Sequence, residues 1–202
     1  MAILQRNAIV LATRNADKVI EIKEFMNDLD FEFLDFSGFP DVPEVVEDGE
    51  TFSDNAIKKA TAIYRATGIS ALADDSGLEV DYLNGAPGVR SSRFAGENAT
   101  YAENNALLLK KLDAVPPHRR TARFRCVMAF VGQSGTQTVE GVCEGIILNE
   151  LKGSKGFGYD PLFYVPEYGM TFAEMDLVLK NRISHRGMAL SKMRDVLRHR
   201  SG

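Results

Sequence analysis

The sequence predicts an α/β protein: a mixed β-sheet with flanking helices packed around it. Three observations carry that expectation. Ala8-Ile9-Val10-Leu11-Ala12 is a short apolar run without alternation, the pattern of a strand buried on both faces. The segment after it changes to helical period. In the middle of the chain Thr121 to Val131 alternates, and Gly132-Gln133-Ser134-Gly135 then reverses it, which places an antiparallel hairpin inside an otherwise α/β pattern. The 202 residues, 45% hydrophobic, suffice for one domain spanning 1–202, with a core that needs neither disulfides nor a structural metal.

In chain order, the 8–12 run is the first strand. Thr13-Arg14-Asn15-Ala16-Asp17-Lys18 connects it to a helix whose inward face is Val19, Ile22, Met26 and Leu29, with Lys18, Glu21, Lys23 and Glu24 facing elsewhere. Thr13 or Asn15 caps that helix. A second strand lies around Phe31 to Leu34 and ends near Gly38 and Pro40. Thr51-Phe52-Ser53-Asp54 opens another helix, a hydroxyl cap with an acid three positions on. Ala56, Ala60, Ile63 and Thr67 form its buried stripe, and Gly68 stops it. Leu72 and Ala73 finish a short strand that delivers the chain into Asp74-Asp75-Ser76-Gly77; Leu78 and Val80 then alternate with Glu79 and Asp81. Asn84 to Gly88 is a turn. Thr100 and Glu103 repeat the capping spacing before a helix carrying Leu107, Leu108 and Leu112. In the hairpin Ala122, Phe124, Cys126, Met128 and Phe130 share one face, and Thr136 to Glu144 returns as the partner. Gly153 to Asp160 is glycine-rich loop, and Ser184 caps a terminal helix with Ala189, Leu190, Met193 and Leu197 inward. Pro116-Pro117 is the expected hinge, between lobes of one domain.

Composition excludes several classes. Lys and Arg total 24 against 28 Asp and Glu, a formal charge of -4, so the chain lacks the basic field that gripping a nucleic acid requires. The Arg119-Arg120-Thr121-Ala122-Arg123-Phe124-Arg125 stretch alternates, which splits its cations between faces. No stretch approaches the roughly 18 to 20 apolar residues of a membrane span. The first residues show no basic segment leading into a long apolar one, so the expected location is cytoplasmic, with no membrane or nucleic-acid partner. Two cysteines, Cys126 and Cys143, lack redox spacing and read as small sheet residues; His118, His185 and His199 are too scattered for a zinc motif.

Five groups of residues can carry chemistry. Asp74-Asp75-Ser76-Gly77 places two acids at a strand's C-terminal edge, where open α/β sheets bind ligands and where hard cations find oxygens, although a solvated turn has the same composition. Pro43-Glu44-Val45-Val46-Glu47-Asp48-Gly49-Glu50 adds acid, with Glu44 and Glu47 able to fold back beside Asp75. Thr13 to Lys18 contains no Walker glycines, yet a strand-to-helix connection with Thr, Asn and Lys can bind phosphate through helix amides and a positive side chain. Gly156-Phe157-Gly158-Tyr159-Asp160-Pro161 flanks an aromatic ring with glycines, as close approach to a base would require; a hydrophobic turn plug is the plainer alternative. Lys180, Ser184, His185 and Arg186 form a last cluster. Cations in the first turn of a helix sit against its dipole, which an electron-rich partner would relieve; an exposed cap with surface cations is the alternative. A Ser76–His185 nucleophilic pair lacks the Gly-x-Ser-x-Gly elbow.

Together, Thr13 to Lys18, Thr51-Phe52 through Asn55-Ala56 to Lys59-Ala60, Ala73 to Leu78, Gly85-Ala86-Pro87-Gly88-Val89, Gly156 to Pro161 and Ser184-His185-Arg186-Gly187 occur in order. Over about residues 8 to 198 the chain strongly resembles the inosine triphosphate pyrophosphatase family, whose bacterial members are dITP/XTP pyrophosphatases. The resemblance implies an elongated mixed α/β fold with two lobes around a central nucleotide-binding cleft, a homodimer, and Mg²⁺-dependent hydrolysis of ITP, dITP and XTP to the monophosphate plus pyrophosphate, which keeps deaminated purines out of DNA and RNA. By the same resemblance Thr13, Arg14, Asn15, Ala16, Asp17, Lys18 and Lys59 form the triphosphate-binding group. Asp75 is the essential acid, as proton acceptor or metal-site residue, with Ser76 touching substrate. Glu47 matches an acidic position before Thr51-Phe52, while an ungapped reading favours Glu44. Phe157, Gly158, Tyr159, Asp160, Lys180, His185 and Arg186 resemble the substrate- and base-recognition set. The chain departs from the pattern at Arg14, where relatives often have Gly or Asn, and at Asp176-Leu177-Val178-Leu179, which lacks the usual acidic run.

The residues then permit one mechanism. Mg²⁺ near Asp75 and one of Glu44 or Glu47 bridges phosphate oxygens and orients or activates the water that attacks the α-phosphorus; Lys18 and Lys59 neutralise the leaving pyrophosphate. His185 or Arg186 donates to purine O6, and Asp160 accepts from N1–H. The rivals are a nucleotide-binding regulatory module that does not hydrolyse, and a phosphatase that releases orthophosphate.

Overall fold

Four buried residues, Ala8–Leu11, form strand β1 in the computed structural model, which describes residues 7–40, 42 and 45–199. β1 pairs in parallel with β2 (Glu32–Asp35) on one side and with β3 (Ser70–Val80) on the other, in the register Ile9 with Phe33 and Ser70. Burial on both faces is why its sequence does not alternate. Helix α1 (Ala16–Phe25) connects β1 to β2, and α2 (Phe52–Thr67) precedes β3. The hairpin is β4 (Thr121–Gly132) and β5 (Gly135–Ile147), adjacent strands whose two-residue connection forces antiparallel pairing. β6 (Phe163–Val165) and β7 (Met170–Thr171) extend the sheet antiparallel, giving the order β2-β1-β3-β4-β5-β6-β7. The remaining helices are α3 (Tyr101–Lys111), α4 (Leu177–Ile183) and α5 (His185–Arg198). The expected mixed sheet with flanking helices is the observed architecture, with seven strands.

Local rules held where local physics governs. Asn15 caps α1, its Oδ1 accepting from the amides of Asp17 and Lys18 at 3.0 and 3.3 Å. Thr51 caps α2, and Gly68 ends it in the left-handed region at φ 70°. Thr100 and Glu103 close a full capping box on α3. The free Cys126 and Cys143 are buried in β4 and β5.

Several expectations are corrected. α1 stops at Phe25, so Leu29 lies beyond it, and Glu21 is buried rather than outward. The strand expected to end at Ala73 continues through Asp74-Asp75-Ser76-Gly77 to Val80, so the acids lie within β3. The edge there has a different origin: β1 stops at Leu11, and after the Ala12 amide donates to the Leu72 carbonyl at 2.8 Å the chain turns away into α1. β4 alternates only as far as Cys126; from Val127 both faces are buried. β6, β7 and α4 are too short to carry a period that a sequence reading detects.

The chain divides into two compact units. The first holds the described residues up to Asp75, Val127–Glu140 and those from Ala189 on. Its buried side chains include Ile9, Val10, Leu11, Ile22, Ala56, Ala60, Ile63, Met128, Leu190 and Met193. The second, Ser76–Cys126 with Gly141–Met188, has its own core of Leu78, Leu108, Leu112, Phe124, Phe163 and Phe172 among others. Pro116 and Pro117 both fall inside it, at the start of a short 3-10 helix, so they are not the hinge expected from the sequence. The basic stretch is also committed there. Arg120 is buried and donates to the carbonyls of Val115, Leu148 and Leu112, while Arg123 and Arg125 pair with Asp81, Glu144 and Glu79. Arginines held this way do not form a phosphate-gripping face. No helix among the described residues is long and apolar enough to cross a membrane.

Candidate active site

In the first unit, α1 and α2 deliver two lysines to the acids of β3. Lys18 Nζ pairs with Asp74 Oδ2 at 2.9 Å, and the Asp74 side chain is wholly buried. Lys59, on the buried face of α2, donates to Glu47 Oε1 at 2.9 Å and to the Asp74 carbonyl at 2.7 Å, and lies 3.8 Å from Asp75 Oδ1. Asn55, one turn earlier on α2, donates to Asp75 Oδ2 at 3.0 Å and accepts from the Gly49 amide at 2.8 Å. Asn55 therefore ties Asp75 to the segment that carries Glu47. A side chain at Gly49 would press within 2.7 Å of Asn55 Oδ1, so this approach requires glycine. Asp48, paired with Lys58 of α2, holds the same segment from the other side.

The electrostatics follow from burial. Asp75 is pushed up to about 6 by burial; Lys59 and Lys18 pull it down, as does the Asn55 hydrogen bond, while the Glu47 charge raises it further. Burial opposes the charge on Lys59, yet Asp74, Asp75 and Glu47 outweigh it and raise its pKa. A carboxylate poised near neutrality beside two cations is the setting for general-base work on an anionic substrate.

The connection 13–18 surrounds the N-terminus of α1. The Thr13 amide donates to the Leu11 carbonyl, and Thr13 Oγ1 accepts from the Asn15 amide at 3.2 Å. Ala16 and Asp17 are exposed in the first turn. Arg14 is exposed too, its guanidinium 4.9 Å from the Phe36 ring centre. Glu44 lies outside the described residues; of the two acids proposed, Glu47 is the one seen against Lys59.

In the second unit the 156–160 loop folds around the Asp160 carboxylate. Asp160 Oδ2 accepts from the Phe157 amide at 2.9 Å and from Lys180 Nζ at 2.8 Å. Burial raises the Asp160 pKa, against the opposing pull of Lys180, the Phe157 amide and Arg186. Gly156, at φ 70°, has no room for a Cβ, which would collide with Asp160 Oδ2. Phe157 is half-buried, with Lys180 Nζ 5.0 Å and the Arg186 guanidinium 5.4 Å from its ring centre. Arg186 also donates to Ser76 Oγ at 3.0 Å.

His185 and Arg186 are both buried, which excludes the exposed-cap alternative. His185 stacks on Phe124 at 4.6 Å and 11°, within the aromatic core; Arg186 reaches Ser76 and Phe157. Tyr159 is committed to the core, its hydroxyl donating to the Ser91 carbonyl at 2.9 Å, so any share in binding falls to its backbone. Asp160 Oδ2 organises the loop, a duty the sequence reading did not assign to it. Asp176, where the usual acidic run is missing, caps α4 by accepting from the Leu179 amide at 2.8 Å. The sequence reading also gave no role to Asn55 or to Asp74 as the Lys18 partner. A signal for Asn55 existed: with Lys59 it falls on the apolar stripe of α2 set by Phe52, Ala56, Ala60 and Ile63, where a buried polar group needs a partner.

A mixed sheet with these two clusters belongs to a described class of proteins. The Ham1 family model matches residues 9–196, and the chain belongs to that family. A dITP/XTP pyrophosphatase of Desulforamulus reducens is 58% identical over 190 residues, covering 94% of each chain. One from Geobacter sulfurreducens is 51% identical, covering 94% of this chain and 96% of the relative. Among solved structures, a HAM1 protein from Coxiella burnetii superimposes with a TM-score of 0.89 at 46% identity, covering 96% of this chain and 99% of that one.

Proposed function

We propose that this chain is a dITP/XTP pyrophosphatase that cleaves ITP, dITP and XTP to the nucleoside monophosphate and pyrophosphate, with Mg²⁺ as cofactor, working as a cytoplasmic homodimer. The observation that carries this reading is the buried Asp75 beside Lys18 and Lys59, in a chain so similar to relatives of that name.

The donor set suits a hard dication. Asp75 and Glu47 converge on Lys59, and the Glu47 charge makes ionisation of Asp75 costlier. Among the described residues no group of three or more His, Cys, Asp or Glu could hold a metal ion. Mg²⁺ fits that count, since it is bound by one or two carboxylates with substrate phosphates and waters completing the shell. Asp75 and Glu47 would hold it, and when bound it supplies positive charge to the phosphate oxygens.

Asp75 takes the proton of the water that attacks the α-phosphorus. Lys18 and Lys59 shift from their carboxylate partners toward the triphosphate, where they stabilise the charge that gathers on the departing pyrophosphate. The positive end of the α1 dipole favours the same anion. On the base side, Phe157 offers a ring face and Arg186 a donor for purine O6. A site that donates to O6 leaves that donor unpaired against the amino group of adenine, which is the physical source of selectivity.

Product analysis with Mg²⁺ across ITP, dITP, XTP, GTP and ATP tests the reading. Pyrophosphate and monophosphate from the first three, with little turnover of ATP, is the expected result. Orthophosphate release identifies a phosphatase instead, and binding without turnover identifies a regulatory module. Assembly is checked separately: sedimentation at micromolar concentration gives about twice the monomer mass, whereas a fully active monomer removes the dimer from the proposal.

A further inference from the structure

We infer that Tyr101 and Asn105, one turn apart on α3, clamp the 156–160 loop and so set the plane of Phe157, which makes them positioning residues for purine selection. The inference rests on the reading above that Phe157 meets the base. Residues at i and i+4 share a helix face, and here that face grips one loop at two consecutive residues. The Tyr101 ring lies against Phe157, centroids 6.1 Å apart at 35°. Asn105 Nδ2 donates to the Gly158 carbonyl at 2.9 Å, across 53 residues of sequence.

The cost of Asn105 points to this duty. Asparagine is a poor residue for a helix interior, and this one is buried, with its Oδ1 lacking a hydrogen-bond partner among the described residues. A leucine would fill the position without stranding an acceptor. What leucine would lose is the hydrogen bond to the loop.

The loop needs an outer anchor. Its inner side is folded by Asp160 and Lys180, but Gly156 and Gly158 both sit at positive φ, 70° and 62°, and a Cβ on Gly158 would meet nothing within 4 Å. Packing at that point does not hold the backbone, so the Asn105 amide does. The platform is itself rigid. The Thr100–Glu103 capping box fixes where α3 begins, and the neighbouring Asn104 accepts from the Ala95 amide at 2.8 Å and donates to the Ser92 carbonyl at 3.0 Å. Tyr101 is 46% exposed, so its ring is retained on the surface against Phe157 rather than in a core.

Asn105→Leu, Tyr101→Ala, Tyr101→Phe and Phe157→Ala are compared with wild type for kcat and KM on ITP and XTP, for inhibition by pyrophosphate, and for melting temperature. With N105L and Y101A, KM for ITP and XTP rises about threefold to tenfold, the range for one lost neutral contact, and kcat falls by less than KM rises. The pyrophosphate inhibition constant stays at its wild-type value, because it reads the lysine cluster of the other unit. Y101F behaves as wild type, since the ring and not the hydroxyl makes the contact. A purely structural role would instead weaken ITP, XTP and pyrophosphate together, in step with a lower melting temperature, and that result overturns the clamp. An unchanged KM in folded N105L and Y101A also overturns it. If N105L does not fold, the exposed Y101A decides by the same criteria. Phe157→Ala separates the two layers. If F157A leaves KM for ITP untouched, the base platform itself is wrong; if F157A raises KM while N105L and Y101A do not, only the clamp is wrong.

Discussion

Asp75→Asn lowers turnover of ITP by about 10²- to 10⁴-fold, the usual contribution of a positioned general base, and at the same time makes the metal-free protein more stable above neutral pH. The second half follows from burial. Asp75 ionises at about 6 in the folded protein, against an ordinary aspartate value of 3.8 in the unfolded chain. Between those values the folded state holds more protons, so stability falls as pH rises, and the full penalty is present above about pH 6. An asparagine keeps an oxygen for the Asn55 amide and carries no charge to desolvate. The gain is about 1 to 3 kcal/mol, a rise of several degrees in Tm for a chain of this size. Melting curves at pH 8 and pH 4 in metal-free buffer check it. The mutant's advantage is expected at pH 8 and absent at pH 4, below which both wild-type states are protonated. Equal melting temperatures at pH 8, or near wild-type kcat in folded D75N, would falsify the assignment.

On the proposed reading, Arg186→Ala and Lys18→Ala separate base recognition from phosphate binding. Arg186 sits over Phe157 and donates to Ser76, while Lys18 pairs with Asp74 in the other unit. Loss of one charged hydrogen bond to the base is worth about 1.5 to 3 kcal/mol, so R186A cuts kcat/KM for ITP and XTP by about one to two decades more than for ATP. K18A lowers every triphosphate by a similar factor, because all present the same phosphates. It also removes the cation facing a buried carboxylate, so its melting temperature falls, and both variants are assayed well below that transition. Measuring kcat/KM for ITP, XTP, GTP and ATP on each gives the answer. Uniform loss in R186A with a changed ranking in K18A would reverse the two roles.

Elements whose physics is local were legible in the residues alone. A cap hydroxyl at Thr51 and a left-handed glycine at Gly68 act within a few residues of themselves, and they bound α2 as expected. The Thr100–Glu103 box and the hairpin turn at Gln133–Ser134 are of the same kind. The family resemblance was legible too, because six motifs in register leave few other placements, and the Ham1 family model matches residues 9–196. Which of the candidate groups meet is a long-range matter. Whether Asp74 and Asp75 lie at a strand end or within a strand depended on where β1 stops, a property of a neighbour about sixty residues away. That Lys18 meets Asp74, that Asn55 couples Asp75 to the Gly49 amide, and that Tyr159 turns into the core while Phe157 stays half-buried are likewise long-range outcomes. Capping and periodicity are written in adjacent residues, but desolvation and ion pairing belong to whatever the fold brings together, and those two set the charge and pKa of Asp75.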